Sequence, residues 1–267
     1  MNTMNRLFWS ILVWFGLVMM FLAGCSKNST SPEPTESTTE VEGFWMGGFV
    51  FQQSGKGTGY LGSMAMVAPN GESYFVVFGE EIMDYMLAAH GTLSSKNGEI
   101  GGKLNIYDTT GTPVGNLTIS QGETRETTEN GIKIVYFTSQ FTGSAWPLAG
   151  SGELTLTRMD SVYNLASSLS AIAGNWIMIE DDGSTFLNVN ENGQFTGGNT
   201  GGCQFSGNIQ IINSQKNLYR IATFTISNCG APYDGNYQGL ATLIEGGLLW
   251  VVVKQDGSLG FYMKFSR

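Results

Sequence analysis

One histidine, three cysteines and six prolines stand in a chain of 267 residues, and charged side chains make up only 13% of it. The single histidine, His90, excludes a multi-histidine metal site and leaves any acid–base role to one imidazole. A Ser-His-Asp arrangement would need that same residue, and no serine sits in a Gly-x-Ser-x-Gly elbow. Thirteen lysines and arginines face 22 acids, a net charge of −9 with no basic cluster. Such a chain is not built to neutralise phosphates, so no nucleic acid is expected as a partner, and anionic head groups repel it. The longest apolar run, Leu7 to Phe21, is shorter than the about 20 residues that a membrane-spanning helix needs.

That run is nevertheless the first thing present. Arg6 and the free amine precede it and small residues close it, the order of a secretory signal. Leu22-Ala23-Gly24-Cys25 resembles the lipobox of bacterial lipoproteins. The resemblance implies that residues 1–24 are removed as a signal peptide and that Cys25 is acylated as the new N-terminus. Ser26 after the cysteine, rather than an aspartate, implies in that family a lipid-anchored protein of the outer membrane, on its periplasmic or its surface face. Residues 25–42 would then be the lipidated cysteine and a tether. From Ser26 onward this stretch holds eight Ser or Thr, two Pro and four Glu, which cannot bury enough apolar surface to offset the entropy of ordering.

From Gly43 the signal is β. Seven Asn-Gly or Asp-Gly pairs, from Asn70-Gly71 to Asp256-Gly257, punctuate runs rich in Val, Ile, Phe, Tyr and Thr. These residues tolerate the positive φ of tight hairpin turns, so antiparallel up-and-down connectivity follows. The strands number eight over 43–158 and eight over 174–267, with runs such as 113–120 and 132–143 in the first half. Between the halves, Met159 to Ala173 carries Val162, Leu165, Leu169 and Ile172 at helical spacing. Sixteen short strands in one open sheet would leave long unpaired edges, so closure is expected. The expected fold is all-β: two tandem eight-stranded antiparallel up-and-down β-barrels, 43–158 and 174–267, joined by a short helical connector, 159–173.

The two halves open and end alike. Gly43-Phe44-Trp45 and Gly174-Asn175-Trp176 begin them, and Arg158 and Arg267 finish them. A Gly-x-Trp on the first strand with an arginine on the last is similar to the signature of calycins, the lipocalin-like barrels. The resemblance implies that Trp45 pairs with Arg158 and Trp176 with Arg267 where each barrel closes, a cation–π contact worth about 0.5 to 2 kcal/mol. Without it, the tryptophans read as ordinary core aromatics. Tandem barrels on a lipid tether also resemble, in architecture, bacterial surface lipoproteins that bind host proteins.

In an exported chain the two remaining cysteines, Cys203 and Cys229, should form a disulfide. Hydrophobic alternation predicts a hairpin in which Ile211 faces Leu218, Gly207 faces Ala222 and Phe205 faces Phe224. Cys203 then faces Ile226, and Cys229 must curl back to reach it. Closing the loop would stabilise by roughly 3 kcal/mol.

Candidate chemistry is thin. Met64, Met66 and Met86 crowd around His90 in sequence, with Met46 and Met83 nearby, and thioethers with one imidazole suit Cu(I). Methionine equally fills irregular cores and lines adaptable surfaces, so no metal and no other cofactor is expected. Glu80, Glu81 and Asp84, and the turn Asp181-Asp182-Gly183-Ser184, lack the ligand spacing of a calcium loop and read as solvated turn acids. Two non-catalytic functions stay open. One is recognition of a protein or envelope polymer by barrel loops and outer faces; the other is a carrier with a small apolar ligand inside one barrel. Sixteen phenylalanines suggest filled interiors and so favour surface recognition.

Overall fold

Each run between turn dipeptides forms a strand, and the turns do what their residues permit. Asn97-Gly98 and Asn130-Gly131 both carry positive φ at both positions (57° and 80°, 53° and 79°), as the tight hairpin turn requires. The computed structural model describes residues 41–53, 57–79, 86–180 and 183–267. The signal segment, Cys25, nearly all of the tether, Glu80, Glu81, Met83, Asp84, Asp181 and Asp182 lie outside the described residues, as does the Met86 side chain.

The first eight strands are β1 Gly43–Gln53, β2 Gly57–Val67, β3 Glu72–Phe78, β4 Met86–Lys96, β5 Glu99–Tyr107, β6 Pro113–Glu129, β7 Ile132–Gly143 and β8 Gly150–Arg158. They pair in sequence order and β8 returns to β1, a closed antiparallel barrel. The second eight are β9 Gly174–Glu180, β10 Gly183–Val189, β11 Gln194–Asn199, β12 Gln204–Ile211, β13 Tyr219–Ser227, β14 Gly235–Ile244, β15 Gly247–Lys254 and β16 Gly260–Phe265. They too pair in order, and one isolated bridge between Ile177 and Ser266 nearly closes the ring. The fold is therefore two eight-stranded antiparallel barrels, one closed and one nearly so.

Inward aromatics fill the first barrel. Trp45, Phe49, Phe75, Phe137 and Phe141 are at most 2% exposed, and Phe49 meets Phe141 edge-on at 5.0 Å. In the second barrel Trp250 lies at the centre of a ring cluster, 5.0 Å from Phe195, 5.8 Å from Phe224 and 5.4 Å from Phe265. Burying one such side chain stabilises by about 1.5 to 3 kcal/mol, so each barrel holds its own sizeable core.

A third apolar cluster lies between the barrels. Phe44, Met66, Tyr74 and Val76 on the outer face of the first pack with Leu240, Leu249, Val251 and Val253 on the outer face of the second. This explains two runs that do not alternate: in β3 Ser73-Tyr74-Phe75-Val76-Val77, and in β15 the seven residues Gly247 to Val253, are buried on both faces. Both barrels belong to one compact unit.

Three expectations need correction. The connector is two four-residue helices, α1 Asp160–Tyr163 and α2 Leu169–Ile172, not one amphipathic turn series. Ser168 caps α2 by accepting from the Ala171 amide, and Leu165, in the break, is 54% exposed. β6 runs nine residues past Ser120, to Glu129, pairing with β7 beyond a register shift between Ser120 and Glu123. The β12–β13 hairpin is shifted too: Ile211 faces Tyr219, one residue on from the expected Leu218, and a bulge at Asn208–Ile209 adds a second residue, so that Gly207 faces Phe224 and Phe205 faces Ile226.

Candidate functional site

The two barrels close differently, and the sequence says why. In the first, β1 and β8 pair continuously from Trp45–Arg158 through Phe51–Gly152. Aligning Trp176 with Trp45 and Arg267 with Arg158 puts the Ile177–Ser266 bridge in the place of Met46–Thr157. Its two hydrogen bonds are sound, at 2.9 and 2.8 Å, but no further pair follows among the described residues. Next along β1 come Gly47 and Gly48. A Cβ on Gly47 would lie 2.1 Å from the Thr155 carbonyl oxygen, and one on Gly48 2.4 Å from that of Leu61. Leu61 lies on β2, so of the two it is the missing side chain at Gly47 on which the β1–β8 seam depends. The second barrel has Met178 at that position, so β9 and β16 cannot approach in the same way and part after the bridge. Ile179 is left 75% exposed.

Where they part there is a cleft of about 630 Å³. Met178, Phe205, Ile226, Phe261 and Met263 give it an apolar lining, and the Cys203–Cys229 disulfide forms part of its wall. Thr185 and Asn199 add polar groups. The size falls within the range of about 300 to 1,000 Å³ usual for small-molecule sites. Barrel one supplies the remaining side through Asp108, Thr109 and Thr110 in the β5–β6 turn. That turn is well tied: the Asp108 carboxylate accepts from the amides of Thr110 and Thr112 at 2.9 and 3.0 Å. It is also docked, since the Gly260 amide donates to the Gly111 carbonyl at 3.0 Å.

The disulfide is held from both ends. Asn199 Oδ1 accepts from the Cys203 amide at 3.0 Å and Asp234 Oδ1 from the Cys229 amide at 2.8 Å. The bulge brings Gln204 opposite Ser227, so Cys229 lies two residues past the last pair, within reach of Cys203.

At the far end of each barrel the tryptophans sit as a repeated device. Trp45 Nε1 donates to the Val41 carbonyl and Trp176 Nε1 to the Ile172 carbonyl, each at 2.8 Å and each four residues back. Arg267 lies over the Trp176 ring at 4.0 Å and donates to the Ala171 and Ala173 carbonyls at 3.0 and 2.7 Å. Arg158 is 5.9 Å from the Trp45 ring and turns its guanidinium to Asp160 at 2.6 Å.

His90 lies on the outer face of barrel one in the cross-strand row Met66–Tyr74–His90, so the Tyr74 ring, 4.4 Å away, stands between the imidazole and that sulfur. Met66 is buried in the layer between the barrels and Met64 packs against it. Among the described residues no group of three or more His, Cys, Asp or Glu could hold a metal ion. What sequence reasoning missed is Glu72. Its carboxylate accepts from Tyr74 Oη at 2.7 Å and from Arg220 Nη1 at 2.5 Å, with His90 Nε2 3.8 Å away. Burial by itself would raise this carboxyl, but the imidazole, the phenol and the guanidinium together hold it at about 2. The same burial and the adjacent carboxylate push the Tyr74 hydroxyl well above its usual range. No protein-family model, curated protein or solved structure matches this chain.

Proposed function

We propose that this chain is a non-catalytic binding protein of the bacterial envelope, anchored in the outer membrane by acyl chains on Cys25, which holds a small apolar ligand in the open seam of its second barrel. The observation that carries this reading is the cleft of about 630 Å³, opened where Met178 stands in place of Gly47, the glycine that lets the first barrel close. The interior of the first barrel is occupied by its own aromatics. Lipid anchorage rests on the Leu22-Ala23-Gly24-Cys25 motif and on the tether composition.

The test uses the full chain with Cys25→Ala, secreted in soluble form, titrated with the neutral apolar fluorophore N-phenyl-1-naphthylamine. One saturable site is expected, and Ile226→Trp, which fills the cleft, should weaken it at least about tenfold, equivalent to about 1.4 kcal/mol. Absence of saturable binding, or equal binding by the filled variant with its fold intact by circular dichroism, would refute the seam as the site. Recognition of a macromolecule by an outer face has separate support in the exposed row Asn175, Asn188, Thr196 and Ser206 across β9 to β12.

A further inference from the structure

Outside the seam, the second barrel presents a face unlike the rest of the molecule. From Gly183 to Ile211 the only charged residue is Glu191, in the β10–β11 turn, within a chain of net charge −9. The outward positions are instead amides and hydroxyls. Strand register strings them together: Asn175 faces Asn188, Asn188 faces Thr196, Thr196 faces Ser206, and Ser206 faces Thr225. All five are exposed. The neighbouring row holds Gln194, Asn208 and Thr223. Adjacent strands lie about 4.8 Å apart, so a hydrogen-bonding side chain recurs at about that interval across the sheet.

One aromatic interrupts this polar wall. Phe186 is 48% exposed, between Ile177 on β9 and Gly198 on β11. The missing side chain at Gly198 leaves one flank of the ring open. Beside it runs a shallow groove of about 380 Å³, whose polar walls are Asn175, Asn188 and Thr196.

Such a face discriminates by chemistry. Apart from Glu191 in the β10–β11 turn and Glu180 at the end of β9, an acidic or basic polymer finds no charge on it, so electrostatics does little to attract or orient such a partner. Amides and hydroxyls both donate and accept hydrogen bonds, and so match a ligand rich in groups that do the same. The exposed Phe186 ring, with Ile177 opposite it and Ile179 two residues along β9, offers one apolar platform at an end of the row. A neutral glycan chain meets all three conditions, with hydroxyls along its edges, C–H groups on its sugar faces and no charge. We infer that the outer face of β9 to β12 is a binding surface for a neutral polysaccharide, with Phe186 under one sugar ring and the Asn175–Asn188–Thr196 row along the hydroxyl edge. The surface is independent of the seam, and either can fail without the other.

Affinity electrophoresis tests it directly. The secreted Cys25→Ala chain is run through native gels containing dextran, a β-1,3-glucan, mannan or xylan, and in parallel through alginate and hyaluronate. Retardation is expected in at least one neutral polymer and in neither acidic one. Phe186→Ala and Asn188→Asp should each weaken it about tenfold, the second by adding a charge and by removing the Nδ2 donor that binds Asn175 Oδ1 at 2.6 Å. Ile132→Ala, at the exposed tip of the β6–β7 hairpin, should leave mobility unchanged. Unaltered mobility in every neutral polymer, retardation confined to the acidic ones, or retardation that survives Phe186→Ala and Asn188→Asp would each overturn the inference.

Discussion

Glu72 and Arg220 lie 148 residues apart, one in each barrel, and their side chains meet at 2.5 Å in a partly buried ion pair. Arg220 stands opposite Leu240 on the side of β13 that faces the first barrel, and its charge is met there by Glu72. The pair also fixes how the barrels dock, because an apolar layer alone tolerates sliding that a hydrogen-bonded charge pair does not.

The first prediction follows from the Glu72 carboxyl, held at about 2 instead of 4.5. Between those values the unfolded chain takes up a proton that the folded chain does not. The contribution of Glu72 is therefore whole above about 4.5 and is lost as pH falls toward 2. Glu72→Gln should cost roughly 2 kcal/mol at pH 7 and flatten the loss of stability between pH 4.5 and 2. Urea unfolding of both proteins at pH 7, 4.5 and 3 checks it; parallel curves would contradict it.

The disulfide gives the second. Cys203 and Cys229 are 26 residues apart in sequence, and removing the link by changing both to Ala should destabilise by roughly 3 kcal/mol. Because the link also walls the cleft, fluorophore affinity should fall in the same variant, measured under conditions where it remains folded. Alkylation of either thiol in native protein before reduction would count against the pairing.

The two arginines should differ. Arg267 combines a ring contact at 4.0 Å with two hydrogen bonds to connector carbonyls, whereas Arg158 stands 5.9 Å from its ring and pairs with Asp160. Arg267→Ala should cost about 2 kcal/mol and Arg158→Ala about 1 kcal/mol. Thermal unfolding of the two variants side by side decides the order.

Residues 160–267 expressed alone would expose Leu240, Leu249, Val251 and Val253, which the first barrel covers in the full chain. Self-association is expected, visible by sedimentation, and Val251→Lys in that fragment should reduce it. A monomeric, cooperatively folding fragment without that substitution would mean that the inter-barrel layer contributes little.

Cys25→Ala should abolish acylation and leave an uncleaved precursor or a released soluble form. Recovery of the variant in the detergent phase at mature mass would contradict the lipobox reading.

Much of the architecture is legible because local chemistry dictates it. Asn-Gly and Asp-Gly mark turns by their tolerance of positive φ, and alternation between them marks strands with one buried face. Legibility ends where structure depends on distant partners. The stretch Glu123 to Glu129 is polar on both faces and becomes strand only by pairing with β7. Neither the one-residue offset at the turn nor the bulge at Asn208–Ile209 leaves a mark in the hydrophobic pattern, so alternation alone predicts the wrong hairpin register. Leu165 fits a helical stripe, yet the chain breaks at Ala166 to Ser168 and turns it outward. The cleft is hidden for a similar reason, since its cause is a contrast between Gly47 and Met178 that becomes visible only when the two seams are set side by side.

The connector end of the molecule has a mechanical meaning. The Glu42 carboxylate, just ahead of β1, is bound by the Tyr163 hydroxyl of α1, and Arg267, just after β16, is bound to the carbonyls of Ala171 and Ala173 around α2. A pull on the chain ahead of β1, such as the proposed anchor at Cys25 would exert, meets the Glu42–Tyr163 contact at α1 first. The parting of β9 and β16 lies toward the opposite end of those strands from the connector, so such a pull would load the floor of the barrels before their mouth.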